Sequence, residues 1–321
     1  MSPTKPSRPK RAQSSSTQAH RSQRSPSAFE RAMQDLHQKP GEFPNISARW
    51  LLGAAGIVLL AAAVLAWFAL CLLYWQGSWQ LLYHPRTAIL RTPASLGLTY
   101  EPVRFAATET GATQLTGWWL PGADARFTVL YLHGADGNLS DTVDTLAALH
   151  NAGLAVFAID YRGYGQSRPS RPSEKQFRQD AEWALSWLTV TSHIPAKTIV
   201  VYGSNLGANL AAEFAADHSE LAGVILEQPL QNAMIPVLND SRSRLVPAHW
   251  LVSDRYDLNS ASATLRIPSL WLITQPSANL PADPPAAYQA VASKKTGLWL
   301  KPPIQADPNF AASLHRWLDD L

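Results

Sequence analysis

Twenty-six consecutive residues, from Trp50 to Trp75, carry no charge, and no other stretch limits so sharply what the chain can become. About 20 apolar residues cross the hydrocarbon core of a bilayer as a helix. Trp50, Tyr74 and Trp75 stand where interfacial aromatic side chains belong. The expectation is one transmembrane helix over residues 49–76. A cleaved signal peptide is disfavoured, because the run is too long and begins too far from Met1. Residues 1–49 hold nine Lys and Arg (Lys5, Arg8, Lys10, Arg11, Arg21, Arg24, Arg31, Lys39 and Arg49) against Glu30, Asp35 and Glu42, whereas Gln76 to Pro85 hold none. The positive-inside rule then puts the N-terminus in the cytoplasm and the bulk of the chain across the inner membrane, in the periplasm or another extracytoplasmic space. Such a segment is a single-pass signal anchor. Gly53 and Gly56 are three apart, not the four of a helix-pairing motif.

The net charge of +3 hides an asymmetry. The chain after Arg49 has 18 basic against 21 acidic residues, so the basic character belongs to the tail. A sequence pI near 9.0 is therefore no sign that the folded part binds nucleic acid. Residues 1–48 are read as a disordered basic tail, since Ser, Pro, Gln, Lys and Arg cannot offset the entropy of ordering. A short amphipathic helix over Ser27 to His37 is ended by Pro40, Gly41 and Pro44. The basic run either attracts an anionic membrane surface or nucleic acid, or is a solvated topogenic flank; the absence of interleaved aromatics or a periodic face favours the flank, and a separate reading has the tail recruit a cytoplasmic partner. Cys71 is the only cysteine and lies in the apolar run, which leaves the remainder without a disulfide or a Cys-based metal site.

Residues 77–99, with Trp79-Gln80-Leu81-Leu82-Tyr83-His84-Pro85, form a membrane-proximal segment, and residues 100–321 one domain. Tyr100 to Phe105 and Gln114 to Leu120 alternate like antiparallel strands joined through Thr110-Gly111. Phe127 to Leu132, Leu154 to Ile159, Ile199 to Tyr202, Gly223 to Leu226, Ser269 to Thr274 and Gly297 to Leu300 are apolar runs of strand length, as a sheet buried on both faces requires. Helical patterns cover Ser173 to Leu188, Pro285 to Ala292 and Pro308 to Leu318. Residues 228–265 read as an irregular excursion of the kind that caps a site. The alternation implies an α/β fold, a mostly parallel sheet with right-handed crossovers flanked by helices.

The chemistry turns on Ile199-Val200-Val201-Tyr202-Gly203-Ser204-Asn205-Leu206-Gly207-Ala208-Asn209-Leu210. A β-branched run stops at Gly-x-x-x-Gly and restarts as a small-residue helix, the pattern of a sharp elbow that pushes its central side chain out over the sheet edge. That centre is Asn205. A carboxamide has no hydroxyl or thiol to activate, so no acyl intermediate forms on it.

With Leu82-Tyr83-His84-Pro85, Gly117-Trp118-Trp119-Leu120-Pro121, Leu132-His133-Gly134-Ala135-Asp136-Gly137-Asn138 and Asp160-Tyr161-Arg162-Gly163-Tyr164-Gly165-Gln166-Ser167 added, the chain from about Leu81 onward resembles the membrane-anchored α/β-hydrolases of the serine aminopeptidase S33-like, Bem46-like and dienelactone hydrolase-related group. The resemblance implies an α/β-hydrolase fold, an oxyanion hole from the backbone N–H groups of Ala135 and Leu206, and motif turns at His133, Gly134, Gly137, Gly203 and Gly207. The glycines are read equally as kept for the turns alone. The resemblance also implies an acid at Ala278, with Asp283 as a displaced substitute, and a base at about Gln305, with His315 on the following helix. Nucleophile, acid and base positions are thus all replaced, which points to a pseudoenzyme that binds a lipid, peptide or protein. The alternative is an active serine ester or peptide hydrolase whose nucleophile has moved to Ser204, with His249 or His133 as base. No metal constellation, phosphate loop or dinucleotide fingerprint appears, Gly163-Tyr164-Gly165 lacking its third glycine, so no cofactor is assigned.

Overall fold

A computed structural model describes residues 27–38, 47–107, 111–275 and 285–321. The tail before Ser27, Pro40, Gly41 and Pro44 after the first helix, Thr110 of the expected turn, Ala278 and Asp283 lie outside the described residues. The chain divides into two compact units, Met1–Ala63 and Val64–Leu321.

The first unit contains α1 (Ala28–Gln38) and the start of α2 (Ala48–Gly77). Helix α1 opens on a reciprocal cap: Glu30 N–H donates to the Ser27 hydroxyl at 3.2 Å and Ser27 N–H to the Glu30 carboxylate at 2.8 Å. Helix α2 is long and apolar enough to cross a membrane, and its most apolar stretch is almost wholly uncovered by protein. A core helix of a soluble protein would be covered.

The second unit is built on β1 (His84–Pro85), β2 (Glu101–Ala107), β3 (Thr113–Leu120), β4 (Thr128–Leu132), β5 (Asp136–Gly137), β6 (Ala155–Asp160), β7 (Ile199–Ser204), β8 (Gly223–Glu227), β9 (Ser269–Thr274) and β10 (Lys295–Leu300). Its helices are α3 (Val143–Asn151), α4 (Glu174–Ser186), α5 (Leu206–Asp217), α6 (Ile235–Asn239), α7 (Ala248–Leu251), α8 (Leu258–Thr264), α9 (Ala286–Ala290) and α10 (Asn309–Asp319). Eight strands form one sheet in the order β10-β9-β8-β7-β4-β6-β3-β2. Among the described residues, only the β2–β3 and β3–β6 pairs are antiparallel. Along β4, Val129 and Tyr131 enter one core with α3 and α10 side chains, and Leu130 and Leu132 enter the other with α4 and α5 side chains. That two-residue alternation between two buried faces is why the strand reads as a continuous apolar run.

Three local outcomes were not legible in advance. His84 and Pro85, expected at an interface, pair in parallel with Asp136 and Gly137. The cap is not irregular throughout, since α6, α7 and α8 lie within residues 228–265. Helix α4 begins where expected, its cap Ser173 accepting from Gln176 N–H at 3.3 Å, but ends at Ser186 in a π turn over Trp187–Thr191.

Candidate functional site

Strand β7 ends at Ser204 and α5 begins at Leu206, leaving Asn205 alone on the turn with φ 52° and ψ −119°. This sparsely populated conformation exposes the side chain at the sheet edge. Two glycines make the bend passable. A Cβ on Gly203 would lie 2.1 Å from the Gly207 carbonyl oxygen, and one on Gly207 would lie 2.3 Å from that of Leu132. The Asn205 N–H donates to the Glu227 carbonyl at 2.9 Å, and the Asn205 carbonyl accepts from Ala208 N–H at 2.9 Å.

The turn after β4 faces this elbow: a Cβ built on Gly134 would lie 3.4 Å from the Asn205 Cβ. The Ala135 carbonyl is pinned from two sides, by His84 N–H at 3.0 Å and the Tyr164 hydroxyl at 2.7 Å. Ala135 and Leu206 therefore stand on the two segments that meet at Asn205. Leu206, as the first residue of α5, has no intrahelical acceptor for its N–H. Gly137 adopts φ +75°, where any Cβ would overlap the Asp141 carboxylate. The buried Asn138 amide donates to the carbonyls of Arg86 and Ala88, tying this turn to the segment that follows β1.

His133 is buried between Tyr161 and Tyr164, with ring centroids 4.6 and 5.1 Å away. Its Nδ1 lies 2.7 Å from the Gly134 carbonyl oxygen, and its Nε2 lies 3.5 Å from Asp160 without a hydrogen-bond partner. Burial pushes its imidazole down to about 4 and the Asp160 carboxyl up to about 7. His133 is uncharged at neutral pH and bonded within its own turn. His249 on α7 and His315 on α10 are exposed.

Gln305 is bonded where the resemblance seeks a base, its Nε2 donating to Glu227 Oε1 at 2.8 Å. The other oxygen of Glu227 accepts from the Tyr202 hydroxyl at 2.9 Å. Ser204 sits opposite Glu227 across the β7–β8 ladder, and its hydroxyl faces both that carboxylate and Tyr131. Burial pushes the Glu227 carboxyl up, partly offset by the Gln305, Tyr202 and Ser204 donors. Sequence reasoning passed over Glu227, seeking the acid after β9. The available signal was a charged residue closing an otherwise apolar strand at the sheet edge that carries the elbow.

The raised carboxyl makes stability depend on pH. The folded state holds the Glu227 proton more tightly than the unfolded chain, so this contribution is full below the unfolded value of about 4.3. It is lost as pH rises through the folded value. The Glu227→Gln variant is expected to lack this loss, and its melting temperature to gain on the wild type as pH rises from 4 towards neutrality. Asp160, Asp180 and Glu213, also raised by burial, and His133, lowered by it, are common to both proteins and cancel in the comparison. A constant difference across this range contradicts the assignment.

A cleft of about 520 Å³ opens beside Asn205, lined by Gln228, Leu230, Gln231, Ile273 and Thr274 among others. The excursion over residues 228–265, which begins at its rim, is fastened to the elbow helix by Asn209, which is fully buried. The Asn209 amide donates to the carbonyls of Leu230 and Tyr256 at 2.8 and 3.0 Å, and its oxygen accepts from Leu230 N–H at 2.8 Å. Among the described residues, no group of three His, Cys, Asp or Glu is placed to hold a metal ion.

Residues 123–265 match the serine aminopeptidase, S33, family. The matched stretch contains the β4 turn, the elbow and the cap, and stops before Ala278 and Gln305. An uncharacterized membrane protein of Saccharomyces cerevisiae is 33% identical over 138 residues, which cover 42% of this chain and 48% of that one. Protein bem46 of Schizosaccharomyces pombe is 33% identical over 119 residues, covering 36% of this chain and 40% of its own. Among solved structures, an esterase of Pyrococcus furiosus superposes with a TM-score of 0.55 at 18% identity, over 74% of this chain and 97% of that one. The shared architecture is the α/β-hydrolase fold, a mostly parallel sheet flanked by helices.

Proposed function

We infer that this chain is a membrane-anchored relative of the S33 hydrolases that has lost the reaction and kept the pocket. The observation that carries the reading is Asn205, which occupies the exposed tip of an intact elbow. The geometry around it fits binding without a covalent step. The Ala135 and Leu206 amides offer donors to a carbonyl or carboxylate oxygen, and the cleft beside Asn205 has room for a lipid, peptide or protein segment. The Gln305 amide, already committed to Glu227, cannot take a proton from a nucleophile as an imidazole does. Helix α2 anchors the protein once in the inner membrane, with the basic tail cytoplasmic and the domain on the far side.

A second reading makes Ser204 the nucleophile of a working ester or peptide hydrolase, favoured by the nearness of its hydroxyl to the Glu227 carboxylate. Among the described residues, no histidine is hydrogen-bonded to Ser204. The two readings part on one variant. With the full chain in detergent, Ser204→Ala is expected to leave the slow background hydrolysis of a p-nitrophenyl ester unchanged. Loss of a measurable wild-type turnover in that variant supports the second reading and sinks the first.

A further inference from the structure

The last turns of α2 belong to the same compact unit as the catalytic-type domain, and they are docked along the cap. Cys71, Tyr74 and Ser78 are buried on one stripe of the helix and its extension. The Tyr74 hydroxyl donates to the Val237 carbonyl of α6 at 3.1 Å. Three residues deeper in the charge-free run than Leu70, the Trp67 indole N–H donates to the Leu245 carbonyl at 2.9 Å. On the rest of the circumference, Leu65, Phe68, Leu72, Leu73 and Trp75 are exposed. The cap adds large apolar side chains that are half or more exposed: Leu245 is 62% exposed, Trp250 88% and Ile235 50%.

These positions fix a depth. Trp67 precedes Trp75 by eight residues, about 12 Å along a helix axis. If the helix left the bilayer before Trp67, only residues 50–66 would remain to cross it, about 25 Å against a core of about 30 Å. The exposed apolar face of residues 65–75 would then stand in water beside Leu245. Burial of that surface in lipid is favourable at about 25 cal/mol per Å².

We propose that the cap is itself immersed in the bilayer, with Leu245 among the acyl chains at the level of Trp67. Ile235 and Trp250 lie nearer the headgroups: the α6 residue Val237 bonds Tyr74, and Leu251 lines a cleft with Trp75. Arg242, whose guanidinium donates to the Asp240 carboxylate at 2.9 and 2.8 Å, and Arg244 flank this lip, where long cationic side chains lie along apolar surface with their heads at the polar boundary. The occupant of the exposed face is the lipid bilayer, because the face is continuous with a segment too apolar and too long to lie elsewhere. A cleft of about 230 Å³, lined by Trp75, Trp79, Leu251 and Arg171 among others, then opens at the headgroup level. The Arg171 guanidinium there donates to the Trp75 carbonyl at 2.9 Å.

The inference rests on the reading of α2 as a membrane anchor, and the test separates the two. The full chain is reconstituted into phosphatidylcholine and phosphatidylglycerol vesicles as Leu245→Cys, Trp250→Cys or Lys197→Cys, each labelled with an environment-sensitive fluorophore. The wild type, with only the buried Cys71, is the labelling blank. All three positions are exposed, so folding is not at stake. A doxyl group midway along the lipid chains is expected to quench the label at 245 most and at 250 less, with both losing their quenching by aqueous iodide. The label at 197 should respond to iodide alone. Iodide access at 245 equal to that at 197, in protein that resists carbonate extraction, overturns the immersion and leaves the anchor. Extraction by carbonate overturns the anchor and the immersion with it.

Discussion

The double variant Asn205→Ser with Gln305→His is expected to hydrolyse a p-nitrophenyl ester about a hundredfold or more faster than either single variant. The expectation follows from what the two side chains already do. Residue 205 stands exposed on an elbow whose backbone is set by Gly203 and Gly207, so a hydroxyl there meets the cleft without rearrangement. Residue 305 already reaches a buried carboxylate, Glu227, at 2.8 Å, the kind of contact that holds an imidazole in one tautomer. Either change alone supplies a nucleophile without a base or a base without a nucleophile. Because relay members act as a unit, the gain should appear only in the pair and should shrink again when Glu227→Gln is added. A double variant no faster than the singles means that residue 305 does not stand in reach of the elbow tip.

Gly207→Ala is expected to cost at least about 3 kcal/mol of stability, enough to leave little folded protein. The added Cβ would lie 2.3 and 2.4 Å from the carbonyl oxygens of Leu132 and His133. Both are backbone atoms at the end of a central strand, so no side chain can turn aside to relieve the overlap. Gly153→Ala is the control. Gly153 has φ +77° but open space around it, so its replacement should cost only the left-handed conformation, about 1–2 kcal/mol. Urea unfolding of both variants measures the contrast. Equal losses would mean that α5 can move away from β4 at little cost, and that their close approach is not what requires glycine at the elbow.

The sequence carried the sheet because its strands are buried on both faces. Runs such as Thr128–Leu132 and Gly223–Leu226 have no helical period to confuse them, and every strand expectation falls within a residue or two of an observed strand. The elbow was legible for a different reason. Its glycines are forced by contacts only 4 residues apart in the case of Gly203 and Gly207, so the constraint is written locally. The cap and the carboxylate network were not. Trp67 meets Leu245 across 178 positions and Gln305 meets Glu227 across 78, and pairings at such distances leave no period or spacing to read. Glu227 follows an apolar run of strand length, and a carboxylate ending such a run is costly unless something meets it. Tyr202, Ser204 and Gln305 are what meets it.

A fold that has kept its elbow and lost its nucleophile, as proposed, offers no serine to a covalent probe. Exposure of the full chain to a serine-directed fluorophosphonate, followed by intact-mass measurement and peptide mapping, tests it most directly. No adduct is expected on the natural protein under conditions where the Asn205→Ser, Gln305→His double variant is modified at position 205. A stoichiometric adduct on Ser204, or on any other serine of the wild-type domain, would contradict it and make the protein a working hydrolase.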